Sequence, residues 1–249
     1  RKAYLGEDHG RPVAHRVATA HLGAELLAVK SLRAGYGAEP VLKGIDLNVH
    51  ATFPILVAWI VLQNYQRGLP AIAAAAVYTL VVFGTIVLHE LGHAFTARRF
   101  GIQTRDILLL PIGGVARLER MPSEPRQELL VALAGPAVNV LLAAIAYAIG
   151  WATGSPPTLR ELRTLDVTLS FHSFLLWFVF VNLFILGFNL LPAFPMDGGR
   201  VLRALIAMRT GNHAKATEIA ARLGRAFAAL FAIVGLMRGM PFLVLIAVF

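Results

Sequence analysis

From Ala51 onward the chain alternates long apolar runs with short polar breaks, whereas residues 1–50 are mixed and polar enough to sit in water. Six apolar runs stand out, at 51–63, 70–97, 129–151, 168–193, 223–237 and 240–249. A helix needs about 20 apolar residues to cross the hydrocarbon of a bilayer. The second, third and fourth runs satisfy this, and the other three are shorter. The breaks carry turn signals. "QRGLP" at 66–70 is a tight connection, and "GSPPTLRELRTLD" at 154–166 is a polar loop. "PIGGVARLERMPSEPRQE" at 111–128 is longer. Within it "GGVARLE" alternates like a short strand, and the prolines forbid a continuous helix. No repeat with a period of 20 to 50 residues is visible. The pattern predicts an all-α polytopic membrane protein of about six transmembrane helices, with a short β-rich loop between the second and third.

Composition strengthens this reading. Hydrophobic residues make up 57% of the chain and charged residues 15%, against about 25% charged in soluble domains. There is no cysteine, so a transition-metal site must be built from His, Asp or Glu. The net charge of +9 invites a nucleic-acid partner, but its distribution argues otherwise. Assigned to alternate sides of six spans, 19 of the 23 Lys and Arg residues fall on the side of the N-terminus and four on the other. The positive-inside rule explains such an imbalance, with the N-terminus cytoplasmic. No nucleic-acid partner and no secretory signal peptide are expected.

The second run holds the first candidate chemistry, "HELGH", residues 89–93. His89 and His93 are four residues apart and so share one face of a helix. Two imidazoles at that spacing can converge on one Zn²⁺. Glu90 projects beside them and can move a proton between water and a leaving amine. The plain alternative is a helix end with scattered polar residues. Some twenty apolar residues precede the motif, and ionisable groups at such a depth are costly and functional by default.

A catalytic zinc takes three protein ligands and keeps one position open. Close by in sequence only Asp106 is on offer, beyond Arg98, Arg99 and Gly101. The distant candidate is Asp197 in "FNLLPAFPMDGGR", residues 188–200, the only carboxylate between Asp166 and Glu218. It is expected to end the fourth span, on the same side as the end of the second. Pro192 and Pro195 interrupt a helix there, and Gly198 and Gly199 suggest a sharp turn. Non-helical backbone at membrane depth lines a watery cavity or is buried in protein. An ordinary helix end with a solvated aspartate is the competing reading.

"HELGH" in one span and "NLLPAFPMDGG" in a later one resemble the site-2 protease family, the intramembrane zinc metalloproteases. That family pairs HExxH with a distant N-x-x-P-x-x-x-x-D-G, which here reads Asn189, Pro192, Asp197 and Gly198. "PIGGVARLE" and "AGPAVNVLLA" are also similar to the family's glycine-rich loop and its G-P-x-x-N element. The resemblance covers roughly residues 44–249. It implies one Zn²⁺ per chain held by His89, His93 and Asp197, with Glu90 as general base and acid. It implies that Asn189 orients substrate or stabilises an oxyanion, the alternative being an interhelical hydrogen bond. Asn139, Gly135 and Pro136 are read as helix-packing residues. The reaction implied is hydrolysis of a peptide bond in or beside a transmembrane segment, in regulated intramembrane proteolysis. Its partner would be a single-span membrane protein, such as an anti-sigma factor or a membrane-tethered transcription factor. "GGVARLE" could offer a strand edge to an unwound substrate. The expected location is the cell membrane, with the active site towards the cytoplasm.

Residues 1–43 do not fit the family and are set apart as an N-terminal extension. "LLAVKSLRAGYGAEPVLKGIDLNV", 26–49, resembles the opening strands of an ABC-transporter ATPase, with Tyr36 where an adenine-stacking aromatic would lie. No G-x-x-x-x-G-K-[ST] follows, so no nucleotide site is expected. His172, near the start of the fourth run, is read as packed or interfacial, and the three tryptophans as anchors or packing groups. The function of a different class that the same residues allow is a membrane metal transporter or channel using the His/Glu/Asp cluster.

Overall fold

The computed structural model describes residues 25–29, 45–110, 113–158, 161, 170–240 and 244. In chain order the elements are β1 (Glu25–Val29), β2 (Asp46–His50), α1 (Phe53–Asn64), α2 (Leu69–Arg99), β3 (Thr104–Leu110), β4 (Gly113–Leu118), α3 (Pro125–Ala152), α4 (Phe171–Asn189), α5 (Asp197–Thr210) and α6 (His213–Arg238). The strands form one sheet in the order β1-β2-β3-β4, antiparallel except for the parallel β2/β3 pair.

Among the described residues four helices are long and apolar enough to cross a membrane: α2, α3, α4 and α6. Their limits follow local chemistry. Pro70 lies in the first turn of α2 and Pro125 in that of α3, where a missing N–H costs no helical hydrogen bond. The Ser170 side chain caps α4 by accepting from Ser173 N–H at 3.1 Å, and Asn212 caps α6 by accepting from Lys215 N–H at 2.9 Å. Gly211 and Gly239 end α5 and α6 in left-handed conformation, at φ 67° and 62°.

Several expectations need correction. The first run forms α1, but its 12 residues reach only about 18 Å at 1.5 Å per residue. The run at 223–237 is only the second half of α6, which begins at His213 because Asn212 caps it there. Its first turns are polar, so apolarity alone dates the helix too late. The run at 240–249 lies mostly outside the described residues, as does most of the 1–43 extension, of which only β1 is described. β3 was not anticipated: "DILLL" is continuous rather than alternating, because Ile107 and Leu109 are buried against α2 while Leu108 is also partly covered.

The largest correction concerns Asp197. It does not end the helix of the fourth run. That helix, α4, stops at Asn189, and Asp197 is the first residue of a separate amphipathic helix, α5. Gly198 and Gly199 do not turn the chain either; they lie in the first turn of α5. A β-carbon on Gly198 would sit 2.2 Å from Leu191 O, and one on Gly199 2.7 Å from Ala193 C. The two glycines therefore let the segment between α4 and α5 fold down onto the start of α5.

Two further close approaches set the site. A β-carbon on Gly92 would lie 2.8 Å from Ala134 O, so α2 and α3 meet almost backbone to backbone one residue from His93. A β-carbon on Gly114 would lie 2.7 Å from Ile86 Cγ2 and 3.0 Å from Glu90 Cγ, so β4 rests on α2 beside "HELGH". Underneath, Phe83 of α2 packs on Ile107 and Leu109 of β3.

Candidate metal centre

His89 and His93 lie on one face of α2, as their spacing predicts, and both are buried. Asp197 reaches them from the first turn of α5, 7% exposed. Its Oδ2 is 3.1 Å from His89 Nε2 and 3.0 Å from His93 Nε2, and the two Nε2 atoms are 3.1 Å apart. These three residues are the one group with metal-ligand character found among the described residues.

The outward ring nitrogens decide what faces inward. His93 Nδ1 is 2.7 Å from Val131 O. A carbonyl can only accept, so Nδ1 carries the proton and Nε2 of the neutral ring a lone pair. His89 Nδ1 lies 2.5 Å from Asn139 Oδ1 and donates in the same way. Two imidazole lone pairs and a carboxylate oxygen thus converge in a buried space, which only a proton or a cation placed among them can stabilise. Donors around a tetrahedral zinc with bonds of about 2.0–2.1 Å stand about 3.3 Å apart. The observed triangle is close to that size, and its two-imidazole, one-carboxylate set fits zinc.

Room for the group is provided by Gly135 on α3. A β-carbon there would lie 2.3 Å from His93 Nε2 and 2.6 Å from His89 Nε2. Gly135 is therefore more than a helix-packing residue: its missing side chain is the floor of the centre. Asn139 is likewise not merely a packing residue, since it orients His89.

Glu90 is half-buried and sits outside the triangle. Its Oε2 accepts the backbone N–H of Ala116 on β4 at 2.9 Å. Residues of an antiparallel strand turn their amides alternately to either side. Ala116 N–H points to Glu90, so the amide of Val115 turns to β3, its register partner being Leu108. The edge of β4 beside Glu90 is thus the one carrying the backbone groups of Gly114, Ala116 and Leu118.

Asn189 is the last residue of α4 and is half-buried; its side chain makes no hydrogen bond among the described residues. Asp106, the nearby alternative ligand, is in the sheet, bonded by Asn48 Nδ2 at 3.0 Å and paired with Arg117. His172, in the first turn of α4, lies 3.4 Å from the Glu161 carboxylate. Trp177 packs edge-on against Tyr78, with ring centroids 4.4 Å apart.

Sequence reasoning missed three groups around the centre. Asn182, fully buried in α4, bonds Asn139. Glu128, 2% exposed at the start of α3, is paired with Arg203 of α5. Arg203 also lies over the Phe194 ring, 5.4 Å from its centroid, and so ties the segment before Asp197 to α3. Asn182 had a signal: an amide in the middle of an apolar run, seven residues before Asn189. Glu128 and Arg203 had none, since both occur in charged stretches.

The profile of peptidase family M50 matches residues 77–164 and 154–231. The chain is 34% identical over 206 residues to a zinc metalloprotease of Methanocaldococcus jannaschii, covering 83% of this chain and 56% of that protein. It is 30% identical over 164 residues to stage IV sporulation protein FB of Bacillus subtilis, covering 66% of this chain and 48% of the other. The solved site-2 protease from Methanocaldococcus jannaschii superposes with a TM-score of 0.61 at 28% identity, over 89% of this chain and 91% of that one. The chain spans about half the length of the curated relatives it matches.

Proposed function

The chain belongs to peptidase family M50, and on that footing we propose that it is a zinc-dependent endopeptidase of the membrane. It hydrolyses a peptide bond within or next to a transmembrane segment of a substrate protein. The observation that carries the reading is the convergence of His89 Nε2, His93 Nε2 and Asp197 Oδ2 within 3.1 Å, across 108 residues of sequence.

His89, His93 and Asp197 hold the zinc. When bound, zinc supplies Lewis acidity to a carbonyl oxygen and acidifies water. Glu90, adjacent in sequence to the first ligand, takes a proton from the attacking water and hands it to the leaving amine. The Ala116 amide fixes Oε2 of Glu90 and leaves Oε1 for that proton. Asn189, at the end of α4, orients the substrate or donates to the developing oxyanion. The substrate helix must first unwind, since its carbonyls are otherwise bonded within the helix. The outward groups of β4 then offer it a strand to pair with, next to Glu90.

The finer arrangement follows the charge pattern. The N-terminus and the catalytic group lie towards the cytoplasm. The membrane core comprises residues 44–249 with about six membrane segments, α1 and the run from 240 adding to the four long helices. Residues 1–43 are an N-terminal extension to this core, joined to its sheet where β1 pairs with β2. The partner is a single-span membrane protein, with an anti-sigma factor or a membrane-tethered transcription factor as the class to screen. The metal-transporter alternative finds no support in the names of the relatives, and it does not explain a glutamate set between two ligands.

The deciding experiment is zinc analysis of detergent-purified protein together with cleavage of single-span substrates. The expected outcome is one zinc in the wild type, loss of zinc in Asp197→Ala, and zinc without cleavage in Glu90→Gln. Undiminished zinc in Asp197→Ala removes Asp197 from the site. Undiminished cleavage by Glu90→Gln removes the proposed base.

A further inference from the structure

Asn182 is the one amide in the middle of α4, and it is fully buried. Its Nδ2 donates to the backbone carbonyl of Phe178 at 2.9 Å. Its Oδ1 accepts from Asn139 Nδ2 at 3.1 Å, and Asn139 Oδ1 in turn meets His89 Nδ1 at 2.5 Å. Asn139 too is fully buried, so neither amide can exchange these partners for water.

The direction of this chain is set at its far end. The Phe178 carbonyl can only accept, so Asn182 must present Nδ2 to it and Oδ1 to Asn139. Asn139 must then present Nδ2 to Asn182 and Oδ1 to His89. His89 in turn must carry its ring proton on Nδ1 and keep Nε2 free of one. An amide turned the other way at any link would set donor against donor or acceptor against acceptor in a buried space.

We propose that Asn182 is a positioning residue of the metal centre, acting through Asn139 to hold the His89 ring and its tautomer ready for the metal. Helix α4 thereby takes part in a site whose ligands come from α2 and α5. The proposal rests on the metal-site reading above. It adds a residue that no ligand motif contains. Hydrogen bonds to the outer nitrogen of a ligating histidine change metal affinity or activity by about 10–100-fold.

The test is zinc affinity, measured by chelator competition on the full detergent-purified chain. Asn182→Leu removes both ends of the link and is expected to weaken zinc binding by about tenfold, the lower end of the range for a direct partner such as Asn139. Asn182→Asp, with a proton on its buried carboxyl, keeps a donor for Phe178 and an acceptor for Asn139, and is expected to bind zinc more tightly than Asn182→Leu, which has neither. Asn139→Leu cuts the chain one link later, so the double variant Asn139→Leu/Asn182→Leu should bind no more weakly than Asn139→Leu alone. Unchanged affinity in Asn182→Leu overturns the proposal, as do losses that multiply in the double variant. Should Asn182→Leu fail to fold, Asn182→Ala is read by the same criteria. A wild type that takes up no zinc overturns the metal reading itself. A wild type that binds zinc with Asn182→Leu binding equally well overturns this inference alone.

Discussion

Gly135 of α3 faces His93 of α2 so closely that a β-carbon would lie 2.3 Å from His93 Nε2. The centre is therefore shaped from three helices: α2 and α5 bring the donor atoms, and α3 withholds a side chain. Gly135→Ala should fold, because alanine suits a helix better than glycine, yet its methyl group displaces the ligands. Overpacking of this kind costs about 1–3 kcal/mol, which corresponds to roughly a 5–150-fold loss of zinc affinity at about 1.4 kcal/mol per tenfold. Chelator competition measures this, with helical circular dichroism as the control. Wild-type affinity in Gly135→Ala would show that the histidines adopt another arrangement.

Glu128 and Arg203 should govern stability. Glu128 Oε1 accepts from Arg203 Nε at 2.7 Å, and the carboxylate is almost wholly buried. Removing one partner of such a pair strands a buried charge, at a cost of about 3–5 kcal/mol. Arg203→Met should therefore lower the unfolding midpoint in detergent markedly. Arg203→Met combined with Glu128→Leu should recover most of the loss, since an apolar pair is often as stable. A double variant no better than the single one would contradict this account.

Ala116→Pro removes the amide that holds Glu90 and blocks the outer edge of β4. Cleavage should fall by about 10–100-fold, the range for losing an orienting partner, while zinc content stays that of the wild type. Val115→Pro strikes the other side of the strand, where the amide belongs to the β3 ladder, and should unsettle the sheet as well. Equal cleavage by Ala116→Pro and the wild type would remove β4 from the reaction.

The chain has no cysteine, so single introduced thiols report topology without background. Ser123→Cys and Asn212→Cys, in exposed breaks flanked by basic residues, should react with impermeant reagent only from the cytoplasmic side. Gly154→Cys, in the break after α3, should react only from the opposite side. Reaction of Ser123→Cys and Gly154→Cys from the same side would refute the proposed orientation.

The three long runs at 70–97, 129–151 and 168–193 became α2, α3 and α4, with every end within four residues. The end of the third is instructive. The run continues to Leu191 and Ala193, but Pro192 and Pro195 have no amide to donate, and the glycines let the chain fold under α5. The short strand in "GGVARLE" was legible by its alternation. β3 was not, because both its faces are covered and no alternation remains. Helix α5 was not, because its 14 residues mix arginines with small apolar residues and resemble a loop.

Sequence alone determined that the chain carries membrane-length helices and that His89, Glu90 and His93 share a turn of one of them. Both are local properties, fixed by apolar length and by 3.6 residues per turn. The distant motif also nominated Asp197, although not the helix that carries it. Only the tertiary structure decided that Gly135 clears space for the histidines. The same holds for Asn182 directing His89 through Asn139, for Glu128 anchoring α5, and for the Ala116 amide meeting Glu90. Each of these joins residues on different elements, and such pairs come together through helix packing, which leaves no periodic trace along the chain.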